Sequence, residues 1–207
     1  MRYSRVFLPL VLALLTFLPS PLQAAETPAL VKDIFDSVTK NGSSPRNFVM
    51  IGSTTYFVAT TDEAGAELWK TDGTEGGTVL VRDIRPGASS SQPQHLMVLG
   101  STLYFVADNG LNGVELWKSD GTTPGTQLVA DIAAGSATSS PSNLTVLGST
   151  LYFAANDGTN GLELWKSDGT EGGTSMVKNI RLGGSGSGVN FIRAMNGALY
   201  FAADDGS

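Results

Sequence analysis

Glu115-Leu116-Trp117-Lys118-Ser119-Asp120-Gly121-Thr122 is the stretch of sequence that decides the fold of this chain. The same residues recur at 163–170, and residues 67–74 differ from them only by a threonine in place of the serine. The three copies start 48 residues apart and contain all three tryptophans of the chain. Self-similarity at a fixed period of about 40 to 50 residues predicts a repeat architecture.

Each 48-residue unit contains four short segments of strand-forming residues, separated by turn residues. The first turn is a Gly-Ser pair at Gly52, Gly100 and Gly148, and an Asn-Gly pair at Asn196. Both pairs supply the positive φ that a two-residue hairpin turn needs, so we predict antiparallel hairpins. In the third unit the predicted strands lie at 143–147, 150–156, 162–167 and 174–180.

Apolar residues occupy both faces of the predicted strands. Leu116 and Trp117 point to opposite sides of the third strand of their unit, and Leu103 and Tyr104 do so in the second strand. A sheet with apolar residues on both faces must be covered on both faces. We therefore predict an all-β fold, a β-propeller-like array of four-stranded antiparallel blades. A β-solenoid-like stack of sheets is the alternative.

Counting by repeat divides the chain into a predicted signal peptide at 1–24 and a repeat domain at 25–207. The repeat domain holds a last strand only at 30–34, full units at 45–84, 93–132 and 141–180, and a partial unit at 189–207. Since closed propellers have about 4 to 8 blades, we expect these three and a half blades to be a fragment of a larger ring. The alternative is a four-bladed ring with one strand too few in its closing blade. An open blade edge would favour association with another chain.

The N-terminal residues have the pattern of a secretory signal peptide. Arg2 and Arg5 precede an apolar run at 6–18, and Ala24 and Ala25 follow it. The run is shorter than the about 20 residues that a membrane-spanning helix needs. We expect a secreted or cell-surface protein with no membrane span after signal removal, and the periplasm is an alternative location.

The composition limits the chemistry that the chain can carry out. The chain has no cysteine, which excludes disulfides and cysteine-based metal or redox sites. It has 13 Lys and Arg against 19 Asp and Glu, a formal net charge of −6. Such a chain has no general attraction for phosphates, so we expect no nucleic-acid partner.

The repeated motif resembles that of the ELWxxDGT repeat family of exported bacterial proteins. The similarity includes residues 67–74, 115–122 and 163–170, and the segments 80–84 and 128–132 that follow the first two copies. The resemblance implies secreted or surface proteins with propeller-like repeats, often within large multidomain chains, and no transferable set of catalytic residues.

Two positions depart from the repeated pattern. Asn179 stands where the other units have aspartate, at Asp33, Asp83 and Asp131, and Val189 lies near the position of the repeated proline. Both departures fall in the third and fourth units, which indicates weaker local constraints there.

We predict no catalytic residues. His95 is the only histidine, and with no cysteine in the chain there is little to build a nucleophile and base from. The equivalent positions are Asn47 and Asn143, so His95 is interpreted as a surface or strand-start residue. Carboxylates remain as candidates for acid–base catalysis, at Glu67, Glu115 and Glu163. Their recurrence in every full unit favours a structural hydrogen-bonding role, because an active site is normally singular.

Two sets of acidic and amide residues lie in turns. Asp72, Asp120 and Asp168 begin the Asp-Gly-Thr turns, where an aspartate side chain can accept hydrogen bonds from backbone N–H groups. Oxygen-rich residues in the turn between the second and third strands are candidates for calcium, at Asp108, Asn109, Asn112, Asn156, Asp157 and Asn160. Their spacing matches no EF-hand loop, and tight turns select the same residue types. No other cofactor is predicted.

We expect a secreted or cell-surface binding or interaction module whose ligand is an extracellular protein or a glycan. A structural spacer within a larger surface protein is one alternative. The other is a propeller-type hydrolase or lyase with a site outside the repeated motifs, for which the most distinctive loop is 35–44, with Asp36, Thr39, Lys40 and Asn41.

Overall fold

The computed structural model describes residues 31–34 and 42–207. The predicted signal peptide, Leu30 and most of the loop at 35–44 lie outside the described residues. The described residues form 14 β-strands, which confirms the all-β prediction. In this part of the chain there is no helix of the length and hydropathy needed to cross a membrane.

The strands form four antiparallel sheets in which chain neighbours are sheet neighbours. The first sheet contains β1 (Arg46–Ile51), β2 (Thr54–Thr61), β3 (Gly65–Thr71) and β4 (Val79–Arg82). The second contains β5 (Gln94–Leu99), β6 (Thr102–Asp108), β7 (Val114–Ser119) and β8 (Gln127–Ala130). The third contains β9 (Ser142–Leu147), β10 (Thr150–Asn156), β11 (Leu162–Ser167) and β12 (Ser175–Lys178). The fourth contains β13 (Asn190–Met195) and β14 (Ala198–Ala202).

The strand predictions for the third unit are confirmed for β10 and β11, and β9 begins one residue earlier than predicted. The last strand, β12, is shorter at both ends than the predicted 174–180. At its start the Thr174 hydroxyl donates to the carbonyl of Thr170 at 2.7 Å. Near its end the Ile180 N–H donates to the Glu163 carboxylate at 3.1 Å. The Thr174 N–H also donates within the turn, to the Glu171 carbonyl at 3.0 Å, so neither the Thr174 nor the Ile180 N–H group is available to extend the strand.

The hairpin turns between the first two strands of each unit have the predicted backbone. Gly52, Gly100 and Gly148 have φ values of 59°, 62° and 62°. In the fourth unit both Asn196 and Gly197 have positive φ, at 51° and 75°. The Gly-Ser and Asn-Gly pairs therefore serve as equivalent tight turns.

A β-bulge lies at the start of the first strand of every unit. In the second sheet the register between β5 and β6 shifts between Gln94 and Met97, and His95 within that interval has a φ of 54°. Asn47, Asn143 and Phe191 occupy the same position with φ between 54° and 57°. Asparagine tolerates this left-handed conformation better than most residues. His95 is exposed on β5, as expected for a surface residue at a strand start.

Both faces of the second sheet are covered, as predicted. Leu103, Phe105 and Trp117 pack against the first sheet, where they meet Tyr56, Leu68, Val81 and Ile84. From the opposite face Tyr104, Val106 and Leu116 pack against the third sheet, where they meet Leu144, Leu151 and Phe153. The alternation of side chains along β6 and β7 thus divides one sheet between two hydrophobic cores.

The sheets stand side by side in chain order. The first strands of successive sheets contact each other: β1 with β5, β5 with β9, and β9 with β13. This arrangement fits an array of blades. Residues 31–34 lie beside the first sheet without belonging to a strand, and Lys32 Nζ donates to the carbonyl of Thr78 at 3.0 Å.

Candidate functional site

The glutamate of the repeated motif holds the connection to the next sheet. Glu67 is fully buried. Its Oε1 accepts hydrogen bonds from the N–H groups of Arg85 at 3.4 Å and Ser91 at 3.0 Å. Its Oε2 accepts from the Ile84 N–H at 3.2 Å and the Ser91 hydroxyl at 2.5 Å. One carboxylate therefore fixes both ends of the segment that leads from β4 to β5.

The same arrangement recurs in the other two full units, with Ser139 and Ser187 in the place of Ser91. Burial raises the pKa of Glu67 to about 7, because it outweighs the hydrogen bonds from Ser91, Ile84 and Arg85, which lower it. Burial also raises the pKa of Glu115 against similar hydrogen bonds. The candidate carboxylates at Glu67, Glu115 and Glu163 lie in three different sheets, so the structure does not bring them together as an acid–base pair.

The Asp-Gly-Thr turn is locked by its aspartate. Asp120 Oδ1 accepts from the Thr122 N–H at 2.8 Å and from its hydroxyl at 2.6 Å, and these bonds lower the pKa of Asp120. A Cβ at Gly125 would overlap the Asp120 carboxylate, so only glycine fits there. Asp72 and Asp168 form the same hydrogen bonds in their units.

The same turn also joins neighbouring sheets. Lys70 of the first sheet donates from Nζ to the carbonyl of Gly121 at 2.8 Å, and the Tyr56 hydroxyl lies directly against Gly121. Burial, together with the negative charge of Asp120, raises the pKa of Tyr56. The second and third sheets repeat this contact through Lys118, Tyr104 and Gly169. No role between sheets was predicted for these residues, although the lysine and the tyrosine recur every 48 residues.

The calcium candidates of the second unit are engaged in turn contacts. Asp108 Oδ1 accepts from the Gly110 N–H at 2.7 Å, and its Oδ2 forms an ion pair with Arg85 Nη1 at 2.6 Å. Asn109 Oδ1 accepts from the Asn112 N–H at 2.9 Å. These oxygens face donors of the protein itself.

The candidates of the third unit are arranged in the same way. Asn156 Oδ1 accepts from the Gly158 N–H at 2.8 Å, and Asp157 Oδ1 accepts from the Asn160 N–H at 2.7 Å. Partial burial raises the pKa of Asp157, but the hydrogen bonds from Asn160 and Thr159 outweigh it and the net shift is downward. Within residues 31–34 and 42–207, no three His, Cys, Asp or Glu side chains are grouped so that they could hold a metal ion. Calcium binding stays a prediction.

A chain of side-chain hydrogen bonds ties the turn of the second unit to the end of β8. Asn109 Nδ2 donates to Asn112 Oδ1 at 3.0 Å, which leaves the Asn112 amide group as a donor. Asn112 Nδ2 then donates to Asp131 Oδ2 at 3.0 Å. The carboxylate of Asp131 is therefore the matching acceptor.

The third unit runs the same chain in the opposite direction. Asn160 Nδ2 donates to Asp157 Oδ2 at 2.7 Å, which leaves the Asn160 carbonyl as an acceptor. Asn179 Nδ2 donates to that carbonyl oxygen at 2.7 Å. The amide at 179 therefore matches the aspartate at 157 as Asp131 matches Asn109, while the Asn179 Oδ1 is buried without a hydrogen-bond partner among the described residues.

His95 lines a cleft of about 520 Å³ between the second and third sheets. Gln94, Ser140 and Ser142 contribute polar groups to the cleft, and apolar residues close its floor.

An apolar groove of about 480 Å³ lies between the third and fourth sheets. Val177 and Phe201 are exposed by 44% and 40%, so the groove is open to solvent. We call it the β14 groove, and define it by its lining residues Tyr152, Leu164, Val177, Lys178, Ile180, Leu199, Phe201 and Ala203.

No protein-family model matches the chain, and no curated protein matches it significantly. The resemblance to the ELWxxDGT repeat family therefore stays a prediction, and the function is argued from the geometry of the described residues.

Proposed function

We propose that this protein is an exported interaction module, built from β-propeller blades, that binds an extracellular protein. The β14 groove carries the proposal, because it is a large apolar surface that is open to solvent between the third and fourth sheets. Open apolar surfaces of this kind mark sites of protein interaction. A protein ligand suits the groove better than a glycan, since its lining is almost wholly apolar.

The packing of the sheets supports the propeller part of the proposal. The first strands of successive sheets lie together, and each full sheet follows the same strand order. Radial repetition of four-stranded sheets around a common axis produces these relationships. Export and membership of the ELWxxDGT repeat family rest on the residue patterns at 1–24 and at the three motif copies.

Exposed apolar side chains on the outermost sheets add to the interaction surface. On β1, Phe48 and Met50 are exposed by 62% and 63%. On β13, Phe191 and Met195 are exposed by 69% and 55%. Among the described residues, these side chains on the first and fourth sheets are apolar surface that a partner could bury.

The repeated polar groups support binding over catalysis. The buried glutamates hold backbone N–H groups of the connecting segments, and the aspartates of the Asp-Gly-Thr turns hold the turns themselves. These groups serve the architecture in every unit in which they occur.

The test is a binding screen of the purified protein against panels of extracellular proteins and glycans. We expect a protein ligand whose binding is weakened by Val177→Glu and unchanged by Leu111→Glu. Val177 lines the β14 groove, whereas Leu111 is exposed in the β6–β7 turn. Binding to glycans alone would favour the carbohydrate alternative, and binding to neither panel would favour the spacer. Turnover of generic glycan or ester substrates would favour the enzyme alternative.

A further inference from the structure

We propose that Asn196 is a self-modifying site, at which the side-chain amide is converted to a carboxylate without an enzyme. Asn196 and Gly197 form the turn between β13 and β14. The backbone nitrogen of Gly197 attacks the side-chain amide carbon of Asn196 and displaces ammonia, which gives a cyclic imide. Water then opens the imide to aspartate or to isoaspartate, in which the chain runs through the former side chain.

The reaction needs no reactant other than water. A bond forms between the Gly197 nitrogen and Asn196 Cγ, and the bond from Cγ to Nδ2 breaks while solvent carries the Gly197 amide proton to the leaving ammonia. Attack of water on Cγ of the imide then gives aspartate, and attack on the backbone carbonyl carbon gives isoaspartate. Either product carries one more negative charge than the original chain.

Several asparagines of the chain have the sequence that this reaction requires. A glycine after the asparagine leaves the attacking nitrogen unhindered, because glycine has no Cβ. The sequence contains five such pairs, which begin at Asn41, Asn109, Asn112, Asn160 and Asn196. Asn41 lies outside the described residues. Hydrogen bonding separates Asn196 from the other three described pairs.

Both reacting groups of the pair at Asn109 are held. Asn109 Oδ1 accepts from the N–H groups of Leu111 and Asn112, each at 2.9 Å. Asn109 Nδ2 donates to the side chain of Asn112 at 3.0 Å. The attacking group is held as well, since the Gly110 N–H donates to Asp108 Oδ1 at 2.7 Å. Several hydrogen bonds must therefore open before this pair can react.

The pairs at Asn112 and Asn160 are held in a similar way. Asn112 Nδ2 donates to Asp131 Oδ2 at 3.0 Å. Asn160 Nδ2 donates to Asp157 Oδ2 at 2.7 Å. The glycines that follow these asparagines lie against backbone atoms of the segment that leads to the next sheet, and a Cβ on either glycine would overlap those atoms. Neither pair has room to rotate into the reactive geometry.

The pair at Asn196 lacks these restraints. Asn196 is exposed, and among the described residues its side chain has no hydrogen-bond partner. Gly197 is also exposed, and its N–H donates to no described group. A Cβ at Gly197 would meet nothing within 4 Å. Both reacting groups are thus free, in a turn at the end of a strand pair.

The exposure belongs to the turn and does not depend on a neighbouring sheet. The equivalent turns of the second and third sheets, at Gly100 and Gly148, are exposed although a sheet packs on each side of theirs. Those turns contain Gly-Ser, as does the turn at Gly52. Gly-Ser has no side-chain amide, so only the fourth unit has a first turn that can react.

The two products have different consequences for the hairpin. Met195 and Ala198 are opposite each other at the end of the strand pair, which leaves two residues for the turn. Aspartate tolerates the positive φ of 51° found at Asn196 and keeps this turn. Isoaspartate lengthens the backbone by one carbon atom, which a two-residue turn cannot absorb without a change of geometry. The isoaspartate form therefore loosens the pairing of β13 with β14.

The experiment follows deamidation in the purified full-length protein at mildly alkaline pH, with digestion and mass spectrometry to measure each Asn-Gly pair. We expect Asn196 to convert at least about tenfold faster than the other three described pairs, because each hydrogen bond that must open first reduces the reactive fraction by up to about this factor. In urea the four pairs should convert at similar rates. Similar rates in the folded protein, or conversion of Asn196 only in urea, would overturn the proposal.

Two variants exchange the turns between units. Asn196→Gly with Gly197→Ser gives the fourth unit the Gly-Ser turn of the others, and should abolish conversion there. Gly52→Asn with Ser53→Gly places the reactive pair in the equivalent turn of the first sheet, where we expect a new site. Circular dichroism checks that both variants keep their sheets. A transplanted pair that stays intact while Asn196 converts would contradict the assignment to the turn.

Hydrogen–deuterium exchange of fresh and aged protein tests the effect on the hairpin. We expect faster exchange of the β13 and β14 amides in aged protein that contains isoaspartate, and unchanged exchange in β6 and β7. The variant with Asn196→Gly and Gly197→Ser, aged in the same way, is the matched control and should show no change. Equal exchange in fresh and aged wild-type protein would overturn the proposed loosening.

Discussion

The hydroxyl of Tyr56, on the first sheet, lies against the backbone of Gly121, in the Asp-Gly-Thr turn of the second sheet. The φ of Gly121 is 87°, a value that favours glycine, and a Cβ there would overlap the tyrosine oxygen. Gly121 is therefore restricted by its own backbone and by a neighbouring sheet.

The first prediction separates these two restrictions. Gly73→Ala changes the equivalent glycine of the first sheet, which has a φ of 90° and open space where a Cβ would lie. We expect it to lower the free energy of unfolding by about 1 to 2 kcal/mol, the cost of a left-handed alanine. Gly121→Ala should cost about 1 to 3 kcal/mol more, because it also displaces Tyr56. Urea denaturation measures both values, and equal losses would show that the tyrosine yields without cost.

The second prediction concerns the pH dependence of stability. The pKa of Glu67 is about 7 in the folded protein and 4.5 in its ordinary state, so the folded state binds the proton more tightly. Its contribution to stability is fully present below pH 4.5 and is lost as the pH rises through about 7. A shift of this size corresponds to about 3 kcal/mol.

Urea denaturation at several pH values between about 4.5 and about 7.5 measures this loss. We expect Glu67→Gln to show a flatter dependence than the wild-type protein, since it cannot titrate. The stability of the variant should be closest to an upward-shifted, pH-independent line, because its neutral amide resembles the protonated carboxyl that Glu67 has at low pH and does not lose stability as the pH rises. An equal slope in both proteins would contradict the assignment to Glu67.

The third prediction uses the two opposite hydrogen-bond chains. Asn109→Asp makes the second unit resemble the third at that position, and the new carboxylate should take the Asn112 amide donor. The Asn112 carbonyl would then face the Asp131 carboxylate with no proton between them, at an expected cost of about 1 to 2 kcal/mol. Adding Asp131→Asn supplies the missing donor, as Asn179 does in the third unit.

Thermal or urea denaturation of the two single variants and the double variant completes this cycle. We expect the double variant to recover most of the stability that Asn109→Asp loses, with a coupling energy of about 1 kcal/mol or more. If the losses of unfolding free energy are additive, the two positions are not coupled through Asn112.

The fourth prediction tests calcium. The oxygens of Asp108, Asn109 and Asp157 already accept hydrogen bonds from backbone N–H groups of their own turns. A calcium ion needs about 6 to 8 oxygen ligands and would have to compete with these donors. We therefore expect the same melting midpoint in excess calcium and in excess chelator. A higher midpoint in calcium would establish a site that the turn contacts conceal.

Local sequence information was sufficient for much of the fold. The positive φ at Gly100 and the pairing of β10 with β11 follow from turn chemistry and strand alternation within one unit. The opposite faces of Leu116 and Trp117 were predicted for the same reason, since alternation in a strand is a local property.

Contacts between distant segments could not be predicted in this way. Nothing in the residues around Glu67 indicates that its carboxylate binds Ser91, which is 24 positions away. The hydrogen-bond chain that joins Asn109 to Asp131 through Asn112 could not be predicted, because each of these residues taken alone is an ordinary turn residue. His95 was placed correctly on the surface, but its left-handed backbone became visible only through the bulge it shares with Asn47 and Asn143.

The reach of Glu67 to Ser91 bears on how such an array could be lengthened or shortened by protein engineering. A cassette cut at the sheet boundaries, such as 45–84, would separate this glutamate from the serine that it holds. A cassette that runs from Glu67 to Val114 has the length of one period and keeps the carboxylate with both ends of its connecting segment. The module to splice is therefore out of phase with the visible sheet, with its seams inside β3 and at the start of β7.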